Sequence, residues 1–154
     1  EWTNQENQQL GVIGMIDYIK YEKSLKNLHL QFENYQTARN RADLSDLDKE
    51  GIAESVIQRF EVCYDCLWKV LKRYLIEGLG IPEVPNSPKP IFRLAHENKL
   101  LPAAVDVWMG YADMRVATSH DYDGEKAEHC LRNMTSFIAD AADIYQAMTG
   151  KLWQ

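Results

Sequence analysis

The 154-residue sequence predicts an all-α protein, an antiparallel up-and-down bundle of four main helices and one short one. Three observations carry this expectation. All five prolines, Pro82, Pro85, Pro88, Pro90 and Pro102, fall in one central segment, leaving two long stretches free of the residue that breaks helix interiors. Within those stretches apolar residues recur at intervals of three and four, the repeat that lines one face of a helix. No comparable run alternates with period two, so no sheet is expected.

The first helix carries Tyr21, Leu25, Leu28, Phe32 and Tyr35 on one stripe, and Leu10, Ile13 and Ile16 extend that face upstream. The polar segment 36–47 reads as a connection, with Ser45 as the N-cap of the second helix. From about 48 to 78, Ile52, Val56, Phe60, Cys63, Leu67, Val70 and Tyr74 form a second stripe, and Gly78 and Gly80 supply stop signals. Residues 81–90 are the clear loop. Ser87 before Pro88 suits an N-cap with proline at the first helical position of a short helix over 88–98. The next helix starts near Pro102, with Val105, Met109, Ala112, Val116 and Ser119 as its stripe, and ends at the turn 121–124. Asp123 is placed to cap the last helix, along which Ala127, Leu131, Met134, Ile138, Ala141, Tyr145 and Met148 share a face.

Composition narrows the function class. Hydrophobic residues make up 45% and charged residues 26%, ordinary for a soluble globular chain and consistent with one domain over residues 1–154. No apolar run approaches the roughly 20 residues that cross a bilayer. The start of the sequence is polar without a signal-peptide pattern, and three cysteines make no paired disulfide framework, so a cytoplasmic location is expected. The net charge of −6 excludes coating nucleic acid by bulk charge but not a local phosphate-handling site. Residues 1–58 carry a net −4, residues 59–99 a net +2 and residues 100–154 a net −4, so a basic middle with Lys69, Lys72, Arg73, Lys89 and Arg93 lies between acidic flanks.

Most chemistry-bearing residues have a structural explanation. Cys63 and Cys66 form a C-x-x-C inside a helix with no second pair, so core thiols are expected and no metal site. His29, His96 and His129 lack companions at ligand spacing, and Asp43, Asp46 and Asp48 suit a helix start. Trp68 and Trp108 fall beside helical stripes as core or interface residues. The segment 111–124 differs. It sets Arg115, Thr118, Ser119, His120 and Tyr122 at a helix end and the turn after it. Arginine matches phosphate oxygens with a permanent fork of donors, and histidine exchanges protons near neutral pH. Together they are a minimal metal-free and cofactor-free kit for breaking RNA. Residues five apart on an ideal helix stand about 140° apart and about 7.5 Å along the axis, so Arg115 and His120 do not share a face. They converge through the long arginine, through unwinding of the last turn, or across a symmetric dimer that brings two of each into one cleft. Cations near a helix C-terminus also complement its dipole, so spacing alone fits a purely structural role as well.

Arg115-x4-His120-x-Tyr122 resembles the R-x4-6-H signature of HEPN domains, in the form found in HepT toxins, also described as nucleotidyltransferase substrate-binding proteins. The stretch from Ile57 to Leu75, with Gln58-Arg59-Phe60-Glu61 and Trp68-Lys69, is similar to that family's long central helix. Ser87-Pro88-Lys89 and a short helix ending at Leu100-Leu101 resemble its next segment, and the likeness spans about residues 20–148. The resemblance implies a homodimeric helical bundle and a partner, a minimal nucleotidyltransferase of the MntA type. It implies a metal-independent ribonuclease toxin in which Arg115 stabilises the scissile phosphate, His120 is general acid or base, and Thr118 or Ser119 adds a hydroxyl contact. Tyr122 is then the acceptor of a silencing AMP, whose bulk and charge keep RNA phosphate from the cleft. The alternative it implies is a non-catalytic adaptor that binds or presents the partner enzyme's substrate. One residue departs from the pattern: the position after the motif arginine is commonly Asn in that family and here is Val116, which the stripe places against the core.

Overall fold

The computed structural model describes residues 16–120 and 124–154. The described residues form α1 (Ile19–Ala38), α2 (Asp46–Arg73), α3 (Pro88–Glu97), α4 (Val105–His120), α5 (Gly124–Arg132) and α6 (Met134–Thr149). They contain no strand, and none of their helices is long and apolar enough to cross a membrane. The helical-bundle class expected from the apolar spacing is the one observed.

The longest helix, α2, is the spine, and every other helix packs against it. Its start is fixed by a capping box: the Asp48 amide donates to Ser45 Oγ at 3.0 Å and the Ser45 amide to Asp48 Oδ2 at 3.1 Å. Its end widens into a π turn over Tyr74–Gly78, where a Cβ on Gly78 would stand 3.0 Å from the Tyr74 ring. Helix α1 runs antiparallel to it, with Tyr18 near Tyr74 and Glu77 and Ser24 beside Cys63. The Tyr21 hydroxyl donates to the Ala141 carbonyl at 2.7 Å, and that of Tyr145 donates to Glu22 at 2.9 Å, tying α1 to α6.

The α1 and α2 stripes bury as their spacing requires: Leu25, Leu28, Val56, Phe60, Cys63 and Leu67 are fully inaccessible. Ile16 joins this core, whereas Leu10 and Ile13 lie outside the described residues. Cys63 is a core thiol that burial pushes up to about 12. Between α2, α3, α4 and α6 an aromatic cluster fixes the helices. Phe92 stacks on Trp108 at 4.8 Å between centroids, Trp108 meets Tyr111 edge-on at 5.0 Å, and Phe60 meets Phe137 at 4.9 Å.

Three expectations need correction. The buried face of α4 is Trp108, Tyr111, Ala112, Met114 and Thr118, rotated from the predicted stripe, so Val116 is 60% exposed rather than packed. Apolar residues on several sides of α4 make its periodicity degenerate, and the large rings of Trp108 and Tyr111 decide the orientation. The last helix is two, α5 and α6, interrupted at Asn133, whose side-chain amide donates to the His129 carbonyl at 2.8 Å in competition with the helical ladder. Ser87 stands at the N-cap of α3 with Pro88 first, but its hydroxyl makes no capping bond. The proposed cap Asp123 lies outside the described residues.

Candidate functional site

Arg115 projects from α4 towards α2 and meets two carboxylates one helical turn apart, Glu61 and Asp65. Its Nε and Nη2 donate to the two Asp65 oxygens at 3.2 and 3.1 Å, the planar fork geometry that arginine makes with a carboxylate. Its Nη1 donates to Glu61 Oε2 at 2.8 Å. Thr118, fully buried one turn further along α4, donates to the same Glu61 oxygen at 3.1 Å. Glu61 is 8% exposed, so its charge is held by these partners rather than by water. Among the described residues, two carboxylates thus face one guanidinium.

The remaining motif residues sit outward. His120 is the last residue of α4 and is exposed. Ser119 is exposed and donates to the Val116 carbonyl at 2.6 Å. Tyr122 lies outside the described residues. Within one chain, Arg115 therefore faces α2 while His120 faces solvent at the helix end, as the helical geometry required.

Of the basic middle, Lys89 comes to this region, bridging from α3 to Asp113 of α4 at 2.6 Å. Lys72 instead reaches Asn86, and Lys69 and Arg73 line a different groove with Lys20. Cys130 of α5 is buried near Glu61, and burial first, then that carboxylate, pushes its thiol up to about 12. Burial and the neighbouring Asp65 likewise raise the Tyr64 phenol. Among the described residues no group of three His, Cys, Asp or Glu side chains is placed to hold a metal ion.

Sequence reasoning missed Glu61 and Asp65. The available signal was two acidic residues at i and i+4, the first of them, Glu61, flanked by the stripe residues Phe60, Cys63, Tyr64 and Leu67, which are buried. A carboxylate buried as Glu61 is requires a cation from a neighbouring helix.

Known proteins share this arrangement of helices. Residues 16–150 match the family model described as nucleotidyltransferase substrate binding protein like. The chain is 27% identical over 113 residues to a protein named probable ribonuclease HepT from Haemophilus influenzae, a match covering 71% of this chain and 77% of that one. A crystal structure of a protein from Thermus thermophilus superposes with a TM-score of 0.61 at 26% identity, covering 79% of this chain and 98% of that one. By its helical fold, by the segments that carry the motif, and by a family match over nearly its whole length, the chain belongs to the HepT-like, nucleotidyltransferase substrate-binding protein family.

Proposed function

We propose that this chain is a HepT-type ribonuclease toxin that cleaves RNA without a metal or cofactor, acts as a cytoplasmic homodimer, and is silenced by a partner nucleotidyltransferase. The observation that carries this reading is the orientation of Arg115. An arginine that only complements a helix dipole needs no partner and extends into water. Arg115 is instead aimed by two α2 carboxylates and a buried threonine beneath them, next to a helix end that presents His120. Such support is what a guanidinium needs to meet a phosphate in one fixed geometry.

In this reading His120 takes the proton from the ribose 2′-hydroxyl or returns one to the leaving 5′-oxygen. Arg115 stabilises the added negative charge of the phosphorane. Thr118 holds Glu61 in place, and Ser119 offers an exposed hydroxyl to the RNA. Because Arg115 and His120 of one chain diverge, the complete site forms where two chains pair, both supplying an Arg115 and a His120 to one shared cleft. AMP on Tyr122 adds bulk and negative charge two residues from His120 and closes the site. The test is RNA cleavage by the purified chain in a chelator, wild type against His120→Ala. Equal rates would remove His120 from the chemistry.

A second reading, a non-catalytic adaptor that presents a substrate to the partner enzyme, is favoured by the engagement of Arg115 with Glu61 and Asp65 and by Val116 in a position that commonly carries a polar side chain. It predicts a stable complex with the partner, no RNA cleavage, and no growth defect when the chain is expressed alone.

A further inference from the structure

A furrow runs along the outer side of the α1–α2 pair. It measures about 380 Å³ where the start of α1 meets the end of α2 and about 280 Å³ further down, and the two stretches meet at Val62. The upper floor is aliphatic: Val62 and Val70 line it beside the half-buried Cys66. Val62 is 51% exposed although its neighbours Glu61 and Cys63 are buried. The lower walls are polar, with Ser24 and Asn27 of α1 facing Ser55 and Gln58 of α2.

The charges along the furrow are uneven. Lys20, Lys69 and Arg73 line the upper stretch and Arg59 the lower. The carboxylates of these two stretches are already engaged: Asp17 accepts from the Ile19 amide at 2.8 Å, and Asp65 holds Arg115. Arg73 pairs with Glu77, whereas Lys20 and Lys69 meet no carboxylate among the described residues. An open aliphatic floor beside available cations suits an acidic, partly apolar occupant.

Such a segment leads directly into the furrow. Ile16, the first described residue, is buried in the core, and Asp17 lines the upper end. Residues 1–15 contain Glu1 and Glu6 and no lysine or arginine. Their composition is ordered. Leu10, Val12, Ile13 and Met15 stand nearest Ile16, and the amide-rich run Asn4, Gln5, Asn7, Gln8 and Gln9 stands further off. Followed down from Asp17, the furrow has the same order, aliphatic first and hydrogen-bonding second. From Val70 to Ser55 it follows about 22 Å of α2, a length that residues 1–15 cover as a helix and exceed when extended.

We propose that residues 1–15 dock in this furrow of their own chain, with Leu10 and Ile13 on Val62 and Val70 and with Glu6 level with Arg59. Asp65 borders both this furrow and the groove at Arg115, so the seated segment shields from water the carboxylate that orients the motif arginine. The docking is independent of the ribonuclease reading, and its test involves no RNA.

Cys66 reports occupancy, because it lines the furrow while Cys63 and Cys130 are buried. The full chain is alkylated with iodoacetamide, a neutral reagent, and each cysteine is followed by peptide mass spectrometry. Ile13→Asp should label Cys66 about ten-fold faster than wild type or more. Glu6→Arg should accelerate labelling about two- to five-fold, and adding Arg59→Glu should restore the slower rate. A variant that also labels Cys63 and Cys130 has unfolded; the charge swap, which leaves the apolar contacts in place, then decides. Wild type labelled with heavy nitrogen is also refolded from urea together with unlabelled Ile13→Asp. Docking within one chain leaves each protein its own Cys66 rate. A shared intermediate rate makes a second copy the occupant and overturns the proposal. So does a Cys66 rate unchanged by Ile13→Asp and Glu6→Arg, or a charge swap that fails to restore protection.

Discussion

Replacing Arg115 by alanine should destabilise the fold as well as impair activity, and the size of that effect follows from the geometry. The substitution leaves Glu61, with a side chain only 10% exposed, without the guanidinium that donates to it at 2.8 Å. Breaking a fully buried ion pair by removing one partner costs about 3–5 kcal/mol. The Arg115 side chain is 25% exposed and that of Asp65 38%, so water re-solvates part of the site and the expected loss is about 2–3 kcal/mol. For a chain of this size that lowers the unfolding midpoint by about 4–10 °C. A second substitution tests the cause. Glu61→Gln keeps an acceptor for Thr118 but removes the stranded charge, so the Arg115→Ala, Glu61→Gln double variant should recover about 1–2 kcal/mol relative to additive single effects. Thermal and urea unfolding followed by circular dichroism measure both quantities. An Arg115→Ala midpoint within about 1 °C of wild type, or strict additivity in the cycle, would refute the assignment of this cluster as a buried, coupled network. His120 is exposed, so His120→Ala should stay within about 0.5 kcal/mol. Activity lost on Arg115→Ala must therefore be separated from stability, whereas activity lost on His120→Ala need not be.

Two further outcomes rest on the packing. The Tyr111 hydroxyl donates to Asp140 at 2.6 Å and lies 3.0 Å from Ser136, joining α4 to α6, so Tyr111→Phe should destabilise by about 1–2 kcal/mol in urea unfolding; no change would place that bond outside the stability of the junction. Burial pushes the Cys63 and Cys130 thiols from 9.0 up to about 12, so the folded chain keeps protons that the unfolded chain releases above pH 9. Stability should be level below about pH 9 and then fall, each thiol contributing about 1.4 kcal/mol per pH unit up to about pH 12. Cys63→Ala with Cys130→Ala should make that decline shallower, and an identical decline would exclude the thiols as its source.

The parts of the fold legible in the sequence are those with one dominant local cause. Ser45 followed by Asp48 is a cap wherever it occurs before an apolar repeat, and Val56, Phe60, Cys63 and Leu67 leave a single face for burial. Helix α4 is ambiguous because its apolar residues surround it: Val105, Val107, Trp108, Met109, Tyr111, Ala112, Met114 and Val116 admit several stripes, and an inward arginine counts against the correct one. Only the partner helix resolves the choice, through Glu61 and Asp65. The break at Asn133 is hidden because both flanking helices continue the same buried face, from Cys130 to Met134 and Phe137. For the candidate site, the divergence of Arg115 and His120 was legible in their spacing. The spacing did not reveal the carboxylates that orient the arginine, since long-range pairing leaves no periodic trace.

The most direct test of the central claim is cleavage of a labelled RNA by the purified chain in excess chelator, with wild type and His120→Ala confirmed to unfold at the same midpoint. Wild type should cleave without metal, and His120→Ala should lose about 10²–10⁴-fold, the range for removing a general acid or base. Equal cleavage by the two proteins, or none by wild type, would contradict it.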